Sequence, residues 1–494
     1  MENENLLSSR GTWLLGGGVV LLVTGLRLGL INYFGTDQPF ADQWGAEGTT
    51  FLQVPLHEPF NWGSFFWPHG EHRPAITRLI TRGLILGNGG QWDCYAEIVA
   101  NLIITAVFLG VAWQAAIRVG RGPWLVGVAG LMVLLFSQPC AYENLLWGFQ
   151  SQFLFLFLAG WAHVYGTLRT SRINAIWWGG CLAGFCGLFS IAAGVMSAAA
   201  LVAAAVGEFI RGRRDAWTYS TVIFNGLLLA FGLWLLPTGV ASGETHLDHL
   251  ATAVRQTAYL LSWPMGGAGW CLLLQAPCAL LLASWIRSPR GDTNDRWLAI
   301  LGLWVALMAF AVGFGRTLTP DTIGVRYYDI MIVGLFVQAL ALVHLLRSSN
   351  RLGGLRAGFA LCWLIGAGTG FWNFNRPEFS GAMLRQQKIY ALEQREIVRE
   401  FMVNDDPAPL EEFENRTHRL PHFQLTLALL RDKQCQPLLP PSLSTTHRIG
   451  RLSRWALAVA GAWGWLAGAG ALLLIAGSAR ARLIGGQTGA RIQG

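Results

Sequence analysis

The fold class is decided by long apolar stretches, of which the first, residues 12–34, reads TWLLGGGVVLLVTGLRLGLINYF. Arg27 is the one charged residue in this stretch. A helix of about 20 apolar residues crosses the roughly 30 Å hydrocarbon layer of a bilayer. Inside lipid the stretch has to be helical, because a helix satisfies its own backbone hydrogen bonds. No small-residue cleavage site follows, so we expect a retained membrane helix and not a signal peptide.

The composition extends this prediction to the whole chain. Of its 494 residues 53% are hydrophobic and 13% are charged, against about 25% charged in soluble domains, which excludes a soluble globular protein. We expect an all-α polytopic membrane protein with about twelve spans. They are predicted near residues 12–34, 95–117, 124–142, 150–168, 175–190, 191–209, 217–237, 257–285, 297–315, 328–347, 355–372 and 453–476. Around Ser190 the sequence fits either a tight turn or a broken helix.

The arginines indicate how the chain is oriented in the membrane. The net charge is +8, but no basic tract is present that would bind nucleic acid. Clusters of arginine occur in alternate loops, at Arg118 and Arg121, Arg169 and Arg172, Arg211 to Arg214, Arg287 to Arg296, Arg347 to Arg356, and Arg480 with Arg482. The positive-inside rule assigns these loops, and the N-terminus, to the cytoplasm. The low lysine content, Lys388 and Lys433 alone, favours a bacterial inner membrane with the active face in the periplasm.

Two external segments are too long to be simple connections. We divide the chain into a multi-span domain, 1–372, an external helical segment, 373–452, and a last membrane helix with a cytoplasmic tail, 453–494. The multi-span domain includes the first external loop, 35–93, in which the apolar spacing of residues 76–85 predicts a helix on the membrane surface. Within the second segment, helices are predicted at 383–401 and 423–430.

The first candidate catalytic residues are Asp37 and Asp42, which lie just after the first span. A carboxylate at the membrane surface is placed to deprotonate a hydroxyl group. External loops also carry acidic residues that have no such role, and that alternative stays open. Trp44 follows Asp42 closely, and we expect it to contact the substrate.

Further along the same loop, the stretch from His69 to Pro74 concentrates polar side chains. Two histidines and Glu71 are of the right type for a metal site. No further ligand motif accompanies them, so we favour anion binding by Arg73 with His72 assisting. Glu71 and His72 are candidate substrate contacts, and no metal site is predicted.

Two later turns add polar groups. Glu143 and Gln150 lie between the third and fourth spans, where they either bind substrate or cap two helices. Arg316 and Arg326 lie in an external loop, where short loops otherwise avoid arginine. A guanidinium group suits the bidentate geometry of a phosphate, and we interpret the two arginines as an anion site. Pairing with a nearby aspartate, such as Asp329, is the alternative.

Taken together, these features resemble the GT-C superfamily of multi-pass glycosyltransferases, which take a sugar from a polyprenyl-phosphate carrier on the outer face of the membrane. The resemblance lies in the architecture: a first-loop acid near span 1, surface helices at 55–86, and basic residues in a later external loop. It implies Asp42, or Asp37, as the base, and donor-phosphate binding by Arg326, Arg316, Arg73 and Tyr327. The Trp-Trp-Asp motif of oligosaccharyltransferases is absent, so protein N-glycosylation is not expected.

The resemblance implies an inverting sugar transfer to a glycan, lipid or protein acceptor. The expected partners are the polyprenyl-phosphate sugar and membrane lipid. No cofactor is required, and a role for a divalent cation stays open. A transporter or flippase of a lipid-linked or anionic solute is the first alternative, although the expected spans carry little midplane charge. A membrane scaffold whose external segment binds a partner is the second.

Overall fold

The chain is helical throughout the part that the structure describes. The computed structural model describes residues 2–120, 122–236, 246–288, 292–315, 324–347, 353–446 and 448–492. All regular structure in these ranges is helical and no strand is formed. The predicted all-α class is therefore confirmed.

The helices follow one another in short succession. The α-helices are α1 (Glu2–Phe34), α2 (Val54–His57), α3 (Ala75–Gly87), α4 (Cys94–Val119), α5 (Pro123–Phe136), α6 (Tyr142–Leu146), α7 (Ser151–Arg169), α8 (Ala175–Gly187), α9 (Met196–Ile210), α10 (Ala216–Trp234), α11 (His246–Leu261), α12 (Trp270–Arg287), α13 (Thr293–Gly315), α14 (Tyr328–Arg347), α15 (Gly353–Phe374), α16 (Pro377–Asn404), α17 (Ala408–Thr417), α18 (Phe423–Arg431), α19 (Arg451–Gly461) and α20 (Trp463–Ile492). A π-helix covers Trp44–Gln53, and 3-10 helices cover Trp62–Phe66, Gly148–Gln150, Ala192–Val195, Val325–Tyr327 and Gln436–Leu438.

Eight helices among the described residues are long and apolar enough to cross a membrane. They are Arg10–Phe34, Cys94–Val119, Ala192–Ile210, Ala216–Trp234, Trp270–Arg287, Thr293–Gly315, Val325–Arg347 and Trp463–Ala481, and two shorter apolar helices, Pro123–Phe136 and Ala175–Gly187, accompany them. These helices support a membrane-embedded protein. The finer count of about twelve spans stays a prediction.

Two predicted spans are each divided into two helices. The stretch 257–285 separates into α11 and α12, because Pro264 lies between them and lacks the N–H that a helix interior requires. The stretch 453–476 separates into α19 and α20 at Ala462, close to Gly461 and Gly464, which have low helix propensity. Around Ser190 the chain makes a tight turn, in which a Cβ atom on Gly194 would lie 2.0 Å from the carbonyl oxygen of Gly187.

Small residues allow the first and last membrane helices to pack closely. A Cβ atom on Gly25 of α1 would lie 2.5 Å from the backbone nitrogen of Ala467 of α20. Likewise, a Cβ atom on Gly470 would lie 2.3 Å from the nitrogen of Leu22. Helices in lipid associate largely through such close backbone contact, so these glycines bring the two ends of the chain together.

Arg27 and Asp329 form an ion pair that is buried among the membrane helices. Nη2 of Arg27 in α1 lies 3.8 Å from Oδ1 of Asp329 at the start of α14, and both side chains are buried. Nε of Arg27 also donates to the carbonyl oxygen of Phe136 at 2.7 Å. Asp329 therefore pairs with Arg27, and not with Arg326 as the sequence alternative proposed.

The first loop and the 373–452 segment share a hydrophobic core. Apolar side chains from both segments are buried in one cluster, whose members include Trp44, Phe51 and Trp92 from the loop and Phe401, Leu410, Phe413 and Leu429 from the later segment. The predicted helices of the later segment are α16 and α18, with α17 between them. We call the structure formed by these two segments the cap.

The membrane helices have two chemically different ends. At one end, Nε2 of Gln387 in the cap donates to the hydroxyl oxygen of Tyr142 at 3.3 Å, and the cap covers the chain there. At the other end, Nη1 of Arg296 lies 2.9 Å from Oε1 of Glu208, and its Nη2 donates to the carbonyl oxygen of Leu168 at 2.8 Å. We call these the cap end and the arginine end.

Candidate functional site

Asp42 lies at the cap end, between α1 and the π-helix that begins at Trp44. Its Oδ2 is 3.3 Å from Nε2 of His69, and its Oδ1 is 3.9 Å from Nε2 of His422. The Asp42 side chain is 30% exposed, so it is anchored and still accessible to a reactant. The residue before it, Ala41, has a φ of +46°, a left-handed conformation that side chains other than glycine adopt at a cost.

Two histidines and one arginine act on the Asp42 carboxyl group. Burial alone raises the pKa of Asp42. The hydrogen bond with His69 and the charges of His69, His422 and Arg326 outweigh burial, so the pKa of Asp42 lies below its ordinary value. The carboxylate is therefore ionised at neutral pH, which is the form that accepts a proton.

Local features bring the two histidines to Asp42. His69 and His72 exchange two backbone hydrogen bonds, at 2.8 and 3.1 Å, and so close a turn. The His69 ring packs edge to face against Phe149, with ring centroids 5.1 Å apart. His422 approaches because Gly45 has no side chain, since a Cβ atom there would lie 2.9 Å from the His422 ring.

Arg326 reaches the same region from the start of α14. Its guanidinium carbon lies 6.0 Å from the Trp147 ring centroid and 5.8 Å from that of Tyr327. Nδ2 of Asn144 donates to the carbonyl oxygen of Arg326 at 2.7 Å and to Oδ2 of Asp329 at 3.0 Å. Asn144 thus fixes the backbone of Arg326, and its guanidinium group acts on the Asp42 carboxylate.

Glu143 and Arg419 complete the cluster. Burial raises the pKa of Glu143, and the charges of Arg326 and Arg419 reduce this rise in part. Arg419 comes from the cap, is 5% exposed, and has its pKa lowered to about 10 by burial. Its guanidinium carbon lies 4.6 Å from the Phe40 ring centroid. We call Asp42, His69, Glu143, Arg326, Arg419 and His422 the Asp42 site.

A buried pair of acids, Glu47 and Glu97, lies beside Gln43, the residue that follows Asp42. Nε2 of Gln43 donates to Oε2 of Glu47 at 2.7 Å and to Oε2 of Glu97 at 2.9 Å. Oγ1 of Thr81 donates to Oε1 of Glu47 at 2.8 Å. Burial raises the pKa of Glu47, because the charged form is poorly solvated there. These contacts connect the π-helix to α3 and α4 and support the backbone next to Asp42.

Several of the predicted site residues lie elsewhere. Asp37 accepts hydrogen bonds from the backbone nitrogen and Oγ of Ser442, both at 2.7 Å. It lines a separate cavity of about 320 Å³ that also contains Asp93 and Lys388. Trp44 is fully buried in the core of the cap, so its side chain does not line the Asp42 site.

The remaining candidates are placed as follows. Arg73 donates to the carbonyl oxygens of Phe66 at 2.7 Å and Leu235 at 3.1 Å. Glu71 and His72 belong to the turn that closes at His69, and Gln150 is fully buried. Tyr327 is buried beside Arg326. Arg316 lies outside the described residues.

A candidate metal-binding group lies far from Asp42. In the described part of the chain, Asp292, Asp295 and His344 form the one group of three side chains whose ligand atoms all lie within 4.8 Å of one another. His344 is near the end of α14, about 24 Å along that helix from its start beside Arg326. This group is at the arginine end and does not contribute to the Asp42 site.

Neither protein-family models nor curated proteins provide a match to this chain.

Proposed function

We propose that the protein is a membrane glycosyltransferase that moves a sugar from a polyprenyl-phosphate donor to an acceptor, with inversion at the anomeric carbon. The observation that carries the proposal is the convergence of a base, two histidines and a guanidinium group from three separate segments of the chain. Asp42 and His69 come from the first loop, Arg326 from the 3-10 helix just before α14, and His422 from the 373–452 segment. All of them lie where the membrane helices end.

In the proposed reaction Asp42 is the general base. The acceptor hydroxyl oxygen attacks the anomeric carbon of the donor and forms the new glycosidic bond, while its proton passes to the Asp42 carboxylate. The bond between the anomeric carbon and the phosphate oxygen breaks, and the phosphate keeps the electron pair. Attack from the opposite face inverts the anomeric configuration.

The leaving phosphate gains negative charge, which Arg326 is placed to stabilise. A preorganised cation in a partly buried site lowers the barrier more than the same cation in water. Arg419 adds a second positive charge near Glu143. We assign the phosphate to the side of Asp42 that carries Arg326 and Arg419, and the acceptor to the accessible side of the carboxylate.

Sugar transfer in membranes tests this proposal. Membranes that carry wild type, Asp42→Asn, Arg326→Gln or Asp37→Asn at matched expression are given labelled polyprenyl-phosphate sugars. We expect transfer to fall roughly 10²–10⁴-fold in Asp42→Asn and about 10²-fold or more in Arg326→Gln. Asp37→Asn should retain transfer, because Asp37 is held by Ser442. Retained transfer in Asp42→Asn would reject Asp42 as the base. A loss of transfer in Asp37→Asn as large as the loss in Asp42→Asn would reject it as well.

A transporter or flippase is the second candidate, and the buried pair of Arg27 and Asp329 favours it. Ionisable groups among membrane helices often mark the path of a solute. This reading predicts that Arg27→Gln and Asp329→Asn abolish movement of a lipid-linked sugar across vesicle membranes, with the sugar still attached to its carrier. Retained movement in both variants would reject it.

A further inference from the structure

A second cavity of about 440 Å³ lies at the arginine end, away from the Asp42 site. It is enclosed by the C-terminal ends of α4 and α7 and by the N-terminal end of α13, and its walls are formed by Gln114, Ile117, Arg118, Tyr165, Arg169 and Asn294. The volume falls in the range of about 300–1,000 Å³ that is usual for small-molecule sites.

Two guanidinium groups converge in this cavity. The guanidinium carbons of Arg118 and Arg169 lie 5.9 and 6.0 Å from the centroid of the Tyr165 ring. Among the described residues, no carboxylate is within ion-pair distance of either arginine. Two like charges around one ring repel each other, and an anion bound between them offsets this repulsion.

Another cavity at the arginine end is lined by Glu208, Arg211 and Arg296. Its arginines are neutralised by an acid of the chain itself. There, Oε1 of Glu208 lies 3.2 Å from Nη1 of Arg211 and 2.9 Å from Nη1 of Arg296. That cavity is therefore internally paired. The cavity at Tyr165 has the cations without such an acid, which indicates that its counter-ion is a ligand.

Asn294 forms part of the wall of the same cavity. It lies in the first turn of α13, and its backbone nitrogen donates to Oδ1 of Asp292 at 2.9 Å. Its own Oδ1 accepts from Nε1 of Trp297 at 2.9 Å, while its Nδ2, a donor, is 3.5 Å from Oδ2 of Asp292. The donors left for a ligand are therefore the two guanidinium groups, which bind phosphate oxygens through paired N–H donors.

We propose that this cavity binds a phosphate group, and that the group belongs to the head of an anionic membrane lipid. The cavity lies at the ends of membrane helices, and basic pockets between such helices bind lipid head groups. Ile117 adds an apolar wall. This site is independent of the proposed sugar transfer at the cap end.

Native mass spectrometry of the purified full-length protein tests the proposal. The protein is titrated with dioleoyl phosphatidylglycerol or dioleoyl phosphatidylcholine. We expect wild type to bind the anionic lipid roughly tenfold more tightly, and the double variant Arg118→Gln/Arg169→Gln to lose this preference. The matched control Arg172→Gln/Arg214→Gln removes the same charge from exposed positions outside the cavity and should keep it.

A further experiment distinguishes a lipid head group from free inorganic phosphate as the ligand of this cavity. Excess inorganic phosphate is added to wild type with phosphatidylglycerol bound: retention of the lipid supports a head-group site, and full displacement overturns the assignment to lipid. Equal binding of the two lipids by wild type overturns the proposal without any variant. The variant Arg118→Lys/Arg169→Lys keeps both charges and provides a second test if the glutamine variant does not fold. We expect it to keep part of the preference for the anionic lipid, because lysine retains the charge but cannot form a bidentate hydrogen-bonded pair with phosphate.

Discussion

At the scale of single residues, the proposed chemistry depends on how Asp42 is held. Two imidazole groups and one guanidinium group, all from different segments, act on one carboxylate that stays accessible. The sequence predicted Asp42 and Arg326, and the structure brings them together.

Removing His69 should change the pH dependence of transfer. Because the hydrogen bond and charge of His69 lower the pKa of Asp42, His69→Gln raises that pKa. Transfer is lost when Asp42 becomes protonated, so the acid limb of the pH–rate profile should move to higher pH, by about one pH unit or more. His57→Gln serves as the control, since His57 pairs with Asp432 instead. An unchanged acid limb in His69→Gln would contradict the account.

Glu47 should make stability depend on pH. Burial raises its pKa above the ordinary value of 4.5, so the folded state binds this proton more tightly than the unfolded state. The free energy of unfolding then falls as pH rises from 4.5 toward the raised pKa. Thermal unfolding in detergent should show this fall in wild type and a flatter curve in Glu47→Gln. The exposed Glu411→Gln should behave as wild type, and the same slope in Glu47→Gln would refute the assignment.

Some residues of the site were beyond prediction from sequence for a physical reason. His422 approaches Asp42, and Arg419 approaches Glu143, because the 373–452 segment packs onto the rest of the chain, and no short-range spacing records such a contact. The loop sequence also gave no means of choosing between Asp37 and Asp42. The choice depends on Ser442, which is distant in sequence and donates two hydrogen bonds to the Asp37 carboxylate.

At the scale of helices, α18 and the π-helix determine where His422 lies. Leu429 of α18 is fully buried, and Gly48 of the π-helix allows its close approach, since a Cβ atom there would lie 2.7 Å from Cδ2 of Leu429. A π-helix is uncommon and often occurs beside functional residues, and this one begins two residues after Asp42.

Leu429→Ala should loosen this contact. We expect a loss of about 2–5 kcal/mol in the free energy of unfolding of the cap, together with reduced transfer as His422 moves away from Asp42. Leu425 lies in the same helix and is 46% exposed, so Leu425→Ala is the matched control. Thermal unfolding in detergent and the transfer assay measure both effects. Equal stability of the two variants would show that the shared core does not hold the cap.

Hydropathy predicted the existence of the membrane helices better than their ends. Apolar runs identify segments that have to be buried or placed in lipid, and eight such helices are found. The division of 257–285 at Pro264 was readable from the sequence, since proline interrupts a helix. The break at Ala462 was not, because neighbouring glycines lower helix propensity without requiring a break.

At the scale of the whole molecule, the two ends should face opposite sides of the membrane. The positive-inside rule places the arginine end in the cytoplasm and the cap end outside. In a Cys362→Ser background, a cysteine at the exposed Thr445 of the cap should react with an impermeant maleimide in intact cells. A cysteine at the exposed Thr293 should react only after permeabilisation. The reverse pattern would invert the predicted topology.

The central claim is that the Asp42 site breaks the bond between a sugar and a polyprenyl phosphate. The most direct measurement is the release of polyprenyl phosphate and the transfer of sugar in one reaction, using purified protein in vesicles that contain the labelled donor. We predict one polyprenyl phosphate for each sugar transferred, an inverted anomeric linkage in the product, and loss of both in Asp42→Asn. Movement of the intact lipid-linked sugar across the vesicle membrane without release of polyprenyl phosphate would contradict the account.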